Sequence, residues 1–328
     1  MSWREVTGSG VPRIAESPLD SARFGRPVER LTVPAGAGSP FPAVREAVLG
    51  SRADVVVLRY PAEHVGWFAE LTALGRTAVF ADSLAYWRLR AGRGRAPEPP
   101  GDLQPTQRVT PAAVRESISD IFAAYRNHYV ANPLFGTAEA LAGYREWALR
   151  SASEGGCVAL LKWNPPARSG SDSSSAPGPD SGSRSDSAPD PDSGYGSAAP
   201  LETLSRTAPA EELPSAAFSP ATSPEGGPHP ATAGDGILAL ATLADDDERT
   251  EILLAGVASR ARGRGLYAHL LAAVEGRALA RGAREVVIST QGHNTGVQRA
   301  WARYGFEPAL TFLTVHLVRS RLLRGRRR

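Results

Sequence analysis

The stretch "EILLAGVASRARGRGLYAHLL" (251–271) places a buried strand, a glycine turn and a helix in immediate succession. The apolar run 251–258 reads as the strand. From about 264 to 281, Leu266, Leu270, Leu271, Val274 and Ala278 recur on one stripe of a helix. A strand that enters a helix through such a turn leaves the N–H groups of the first helical turn unpaired and aimed at one place. The helix dipole adds positive character there, so phosphate is the natural ligand. Gly263 and Gly265 remove Cβ atoms that would obstruct an anion. Arg260, Arg262 and Arg264 add attraction. Glycines also open helices for packing reasons, so the turn by itself admits an anion cradle or a plain connection on a basic surface. "GRGLYA" lacks the spacing of G-x-G-x-x-G, and no Walker lysine follows, which excludes the dinucleotide and P-loop readings.

Upstream, "GCVALLKW" (156–163) and "GILALATLA" (236–244) are two more strands, and with 251–258 they form a meander. Between the first two, residues 164–236 are dominated by Ser, Pro, Gly and Asp, too poor in large aliphatics to offset chain entropy. We expect a disordered insertion at a hairpin tip, where a long flexible loop costs little. A linker between domains is the alternative. Downstream come a strand "REVVIST" (284–290), a helix 294–305 ending at Gly305 and a last strand "LTFLTVHLV" (310–318). Helices at about 111–126 and 137–151 precede the meander.

The first third carries strands at 28–34, 54–61 and 77–90, separated by helical patterns at about 42–49 and 63–74. The expected organisation is therefore a small N-terminal α/β domain (1–97), a linker (98–104), a second α/β (α+β) domain (105–320) and a basic tail (321–328).

Composition narrows the function. The 328 residues carry a net charge of +3, and removing the six arginines of 319–328 leaves −3. No domain face is basic enough for a nucleic-acid footprint. No apolar stretch approaches a bilayer span, and the N-terminus lacks a hydrophobic signal core. The single cysteine, Cys157, excludes an intramolecular disulfide and agrees with a reducing, cytoplasmic setting. It reads as a small core residue on a buried strand, with an acyl-carrier thiol as the rival.

The pattern Arg260-Ala-Arg-Gly263-Arg-Gly265 resembles the R/Q-x-x-G-x-G/A turn that opens the third helix in the GCN5-related N-acetyltransferase (GNAT) superfamily. "QGHNTGVQRAWARYGF" (291–306) resembles its second signature, with Asn294, Gly305 and Phe306 in place. The order of elements over about 105–318 is similar too. The resemblance implies a mixed central sheet with two splayed strands, and acetyl-CoA as co-substrate without a metal. It implies that N–H groups from Arg262 through Gly263, Arg264 and Gly265 to Leu266 hold the pyrophosphate, that Val257, Ala258 and Asn294 hold the pantetheine arm, and that the Val257 N–H serves as oxyanion donor.

One departure stands out. Where many members carry a tyrosine that protonates the leaving thiolate, four residues before the glycine, this chain has Trp301, whose indole is a very poor acid. Tyr304 is the substitute we name. His293, just before the helix, is a second candidate, though a capping role serves as well. "SPLDSARFG" (17–25), "VLRYPA", "FADSLAYWRL" and "FAAYRNHYVANP" resemble the dTDP-fucosamine acetyltransferases and their relatives. This implies a nucleotide-linked amino sugar as acceptor, with Tyr129, Asn132 and Gln291 near it; ordinary loop structure accounts for Tyr129 and Asn132 equally well. The expected partners are thus acetyl-CoA and a small-molecule amine, with neither nucleic acid nor membrane, and a homodimer left open. Two rivals remain: a protein or peptide N-acetyltransferase, and a non-catalytic acyl-CoA-binding sensor.

Overall fold

The computed structural model describes residues 3–38, 41–98, 101, 103–123, 125, 127–162 and 236–324. In chain order these form α1 (Trp3–Thr7), β1 (Arg13–Glu16), α2 (Pro18–Phe24), β2 (Val28–Thr32), α3 (Phe41–Gly50), β3 (Val55–Pro61), α4 (Trp67–Thr72) and β4 (Arg76–Arg90). Then follow β5 (Leu103–Thr106), α5 (Pro111–Ile121), a 3₁₀ turn His128–Ala131, α6 (Thr137–Ser153), β6 (Cys157–Lys162), β7 (Ile237–Asp245) and β8 (Arg249–Val257). A 3₁₀ turn Ser259–Ala261, α7 (Leu266–Ala280), β9 (Glu285–Gln291), α8 (Thr295–Tyr304), β10 (Glu307–Arg319) and α9 (Arg321–Arg324) complete it. The insertion expected at 164–236, apart from Gly236, and the end of the basic tail at 325–328 lie outside the described residues.

The strands make one mixed ten-stranded sheet in the order β1-β2-β3-β10-β4-β9-β8-β7-β6-β5. The meander β6-β7-β8 is antiparallel, and Leu161 faces Ile237, so the chain leaves and re-enters the sheet on adjacent strands. The sheet runs across the boundary drawn at 98–104. β4 lies between β9 and β10 and pairs antiparallel with both, from Leu84↔Gln291 to Arg90↔Glu285 on one side and along most of β10 on the other. Residues 81–87 of β4 alternate in burial, with Asp82, Leu84 and Tyr86 on one face.

Two layers cover the central sheet. On one face α7 and α8 pack Leu270, Val274, Val297 and Trp301 onto Ile252, Val286 and Ile288. On the other, α5 and α6 pack Val114, Ile118, Phe122 and Tyr144 onto Cys157, Ala159 and Leu240. Helix α5 starts where the sequence expects, with Pro111 in its first turn and the Thr110 hydroxyl accepting from the Ala113 N–H at 3.2 Å. It ends at Ile121, five residues before the expected end, and the helix expected at 63–74 is the shorter α4. α1, β1, α2 and β5 were not read from the sequence. All four are short, and β1 and β5 are outer strands of the sheet, where alternation is weakest.

Candidate functional site

Strands β8 and β9 run parallel and pair only from Arg249↔Glu285 to Ile252↔Ile288. Leu253 is an extra residue against β7, where Thr242 faces Leu254 but Leu243 faces Ile252. A bulge bends its strand and increases its twist, and here it falls where the two strands part. Beyond it β8 keeps pairing with β7 as far as Val257↔Ala239. Successive amides of a strand point to opposite edges. The Ala258 N–H donates to the Leu238 carbonyl at 2.8 Å, so the Val257 N–H points toward the parted side.

The turn that follows is anchored from three sides. The Ser259 N–H donates to Asp120 Oδ2 at 2.7 Å, Arg260 Nη2 to the Ile237 carbonyl at 2.7 Å and Arg262 Nη2 to the Ile121 carbonyl at 3.2 Å. Burial opposes ionisation of Asp120, but the Ser259 hydrogen bonds and the charges of Arg262 and Arg260 prevail and lower its pKa. Gly263 and Gly265 adopt φ of +75° and +72°, a left-handed conformation that favours glycine. A Cβ added at either would meet nothing within 4 Å. The space before the α7 amides is therefore open, and Arg264 beside it is exposed. A diphosphate fits this cradle: N–H donors at a helix N-terminus, free approach past two glycines and nearby cationic side chains. Across the opening Asn294 precedes α8, its amide donating to Thr290 Oγ1 at 3.0 Å. The parted strands thus bring Val257, Ala258, Arg262 through Leu266 and Asn294 to one end of the sheet.

Five other residues singled out from the sequence have partners elsewhere in the fold. Tyr304 ends α8, nine residues or about 14 Å along the helix from its start at the opening. Its hydroxyl donates to Glu275 Oε2 at 2.6 Å, while Glu275 Oε1 accepts from the Gly92 and Gly94 amides. Burial and the Glu275 carboxylate push the Tyr304 pKa up. Tyr304 is thus tied to α7 and, through Glu275, to the loop after β4. Trp301 is fully buried and donates to the Tyr267 hydroxyl at 3.0 Å, a core contact. Cys157 is also fully buried, its thiol pushed up to about 12 by burial, which leaves it no carrier chemistry.

Tyr129 and Asn132 belong to a buried polar network. The Tyr129 hydroxyl donates to Asp20 Oδ1 at 3.0 Å and accepts from Arg30 at 3.0 Å. Asp20 also accepts from Ser17 and Arg23. Although burial opposes it, the Arg30 guanidinium and these hydrogen bonds lower the Asp20 pKa. Asn132 Oδ1 accepts from the Leu134 N–H, which fixes its amide as donor to His316 Nδ1 at 3.2 Å. His316 therefore carries its proton on Nε2 and donates it to His128 Nδ1, 3.0 Å away. Burial first, then the Arg59 charge, pushes His316 down to about 3 and His128 well below its ordinary value. Tyr129 is thus held by Asp20 and Arg30, and Asn132 by Leu134 and His316.

The reading from sequence missed a row of polar residues beside Gln291. Arg59 on β3, Thr314 on β10 and Asp82 on β4 face one another across adjacent strands. The signal was present: Asp82 and Thr314 are polar residues at buried positions of strands rich in apolar ones.

Among the described residues no group of three or more His, Cys, Asp or Glu could hold a metal ion, and no helix is long and apolar enough to cross a membrane.

A sheet parted at a bulge, followed by a glycine turn at a helix N-terminus, defines the GNAT fold. In agreement, residues 198–306, about a third of the chain, are similar to the model of the Acetyltransferase (GNAT) family. Among solved structures, a GCN5-related N-acetyltransferase from Sphaerobacter thermophilus is 13% identical, with 94% of this chain and 76% of that one covered at a TM-score of 0.50. A GNAT-family acetyltransferase from Colwellia psychrerythraea is 11% identical over 93% and 99% of the two chains, with a TM-score of 0.44. No curated protein matches the sequence.

Proposed function

We propose that the protein is an acetyl-CoA-dependent N-acetyltransferase acting on the amine of a small molecule, with a nucleotide-linked amino sugar as the leading class of acceptor. The observation that carries the reading is the parting of β8 from β9 at Ile252/Ile288 directly before the two left-handed glycines. Acetyl-CoA supplies the acyl thioester. Arg262 to Leu266 hold the diphosphate through backbone amides. The freed edge of β8 at 253–257 pairs with the extended arm as a further strand would. The Val257 N–H, aimed into the gap, stabilises charge that develops on the thioester oxygen. The amine attacks directly, without an acyl-enzyme.

A small acceptor is favoured over a peptide because the α5/α6 face beside the gap is covered. Trp3 and Val6 of α1 lie on Leu84, Tyr86 and Phe312, and His128 to Phe135 close over β3 and β10. With Trp301 and Tyr304 both tied into the core, the thiolate leaves without a tyrosine donor. The same observation favours the second reading, a non-catalytic acyl-CoA sensor. Calorimetric titration with acetyl-CoA, then thiol release with a panel of amines, tests both: binding without transfer selects the sensor, and no binding removes both.

A further inference from the structure

Asp82 stands on β4 two residues beyond Leu84, the partner of Gln291, and so lies just past the last β4–β9 pair, at the end of the sheet where β8 and β9 diverge. Its neighbour Ser83 accepts from the Gly292 N–H at 2.7 Å, which fixes the strand against the end of β9. Asp82 is 7% exposed and Gln291 1%. Among the described residues neither Asp82 oxygen has a hydrogen-bond partner of normal geometry, and Gln291 Oε1 has none either. Two neighbouring side chains therefore present three acceptor atoms without a well-formed hydrogen bond, although the Thr314 hydroxyl and the Gln291 amide lie close enough to Asp82 to favour its charged form. Buried acceptors of this kind are costly unless a donor arrives to satisfy them.

We propose that Asp82 and Gln291 receive the acceptor as a primary ammonium and that Asp82 takes its proton. This rests on the acetyltransferase reading above and adds the charge and class of the second substrate. An ammonium offers three N–H donors, matching the three unfilled acceptors, and a hydroxyl or an amide does not. In the step, the ammonium gives one proton to the Asp82 carboxylate and keeps its lone pair. That pair forms the N–C bond to the thioester carbonyl carbon, the C–S bond breaks with its electrons on sulfur, and the second amine proton passes to solvent or the thiolate. No oxidant or reductant enters.

Burial raises the Asp82 pKa, and the Arg59 charge from β3, Thr314 from β10, Gln291 from β9 and His293 after it hold the rise in check. Arg59 Nε is turned to Thr314 Oγ1 at 3.2 Å. β4 lies outside the family-matched segment 198–306, so the N-terminal third of the chain supplies a residue that touches substrate.

The test uses the full chain, acetyl-CoA and a panel of primary amines (glucosamine, lysine, spermidine and ethylamine), each beside its hydroxyl counterpart. Acetyl-CoA affinity is measured first. Its failure in the wild-type chain refutes the underlying acetyltransferase reading and the assignment with it. If acetyl-CoA binds, at least one amine is expected to turn over, and Asp82→Asn to lower kcat/KM by about 10²–10⁴ with acetyl-CoA affinity within twofold of wild type. The wild-type profile is expected to be level around neutrality, whereas that of Asp82→Asn climbs tenfold per pH unit toward the pKa of the amine, because only free amine then reacts. Asp82→Glu restores the level profile in part, and Gln291→Leu raises KM more than it lowers kcat. Acetyl-CoA binding with no amine acetylated, or an Asp82→Asn profile parallel to wild type, overturns the assignment. Should Asp82→Asn not fold, the shift of KM against kcat in Gln291→Leu decides.

Discussion

Lowering the pH from 7.5 to 5.5 should destabilise the fold through one pair of side chains. His128 and His316 are 2% and 0% exposed and hydrogen-bonded to each other. Both are held neutral: His316 stays uncharged down to about pH 3, and His128 is depressed well below its ordinary value. In the unfolded chain each takes a proton near pH 6.5. A depressed folded pKa contributes stability that is present above the unfolded value and is lost as pH falls toward the folded one. At pH 5.5 the unfolded chain gains about 1.4 kcal/mol per histidine and at pH 7.5 almost nothing, so the pair accounts for a loss of about 2.7 kcal/mol. For a chain of this size that corresponds to a fall in Tm of about 5–10 °C. Asp82, with a raised pKa, works in the opposite direction: it adds stability as pH falls through its folded value. Urea unfolding at half-unit steps from pH 8 to 5 measures the slope, and His316→Asn isolates the pair by removing about half of it. A level stability across the range, or an unchanged slope in His316→Asn, would show that the tautomer chain from Asn132 to His128 is wrongly drawn.

Further outcomes concern the glycine turn, the aromatic struts and the chain crossing at 162–237. Gly265→Glu puts a carboxylate in front of the α7 amides and a side chain at φ +72°, so acetyl-CoA affinity should fall more than a hundredfold while the far-ultraviolet circular dichroism is retained. Tyr304→Phe removes a hydroxyl from buried Glu275 and should cost about 1–3 kcal/mol of stability with kcat unchanged; a kcat loss of tenfold or more would return Tyr304 to the reacting centre. Trp301→Phe should likewise lower Tm by leaving the Tyr267 hydroxyl without its indole donor, with the pH profile of transfer unaltered. Joining Lys162 to Gly236 through a short glycine-containing turn should preserve folding, because Leu161 and Ile237 already pair; thermal unfolding of the shortened chain checks it.

The amino-acid order alone determined the local chemistry of the glycine-turn end of the sheet. A glycine turn between an apolar strand and an amphipathic helix is written in consecutive residues, as are the meander and the helix closed by Gly305, since periodicity and capping act over a few positions. Pairings between distant segments are not written that way. That β4 enters between β9 and β10 follows from which edges remain open once the chain has collapsed, and it moves Asp82 more than two hundred residues along the chain to reach Gln291. Separations of 29 and 188 residues likewise hid Glu275 from Tyr304 and His316 from His128, so a tyrosine that suits acid catalysis by type is bonded to a buried carboxylate, and two histidines form a buried pair. Residue type and spacing fix what a side chain can do; only its neighbours in the folded sheet decide which of those things it does.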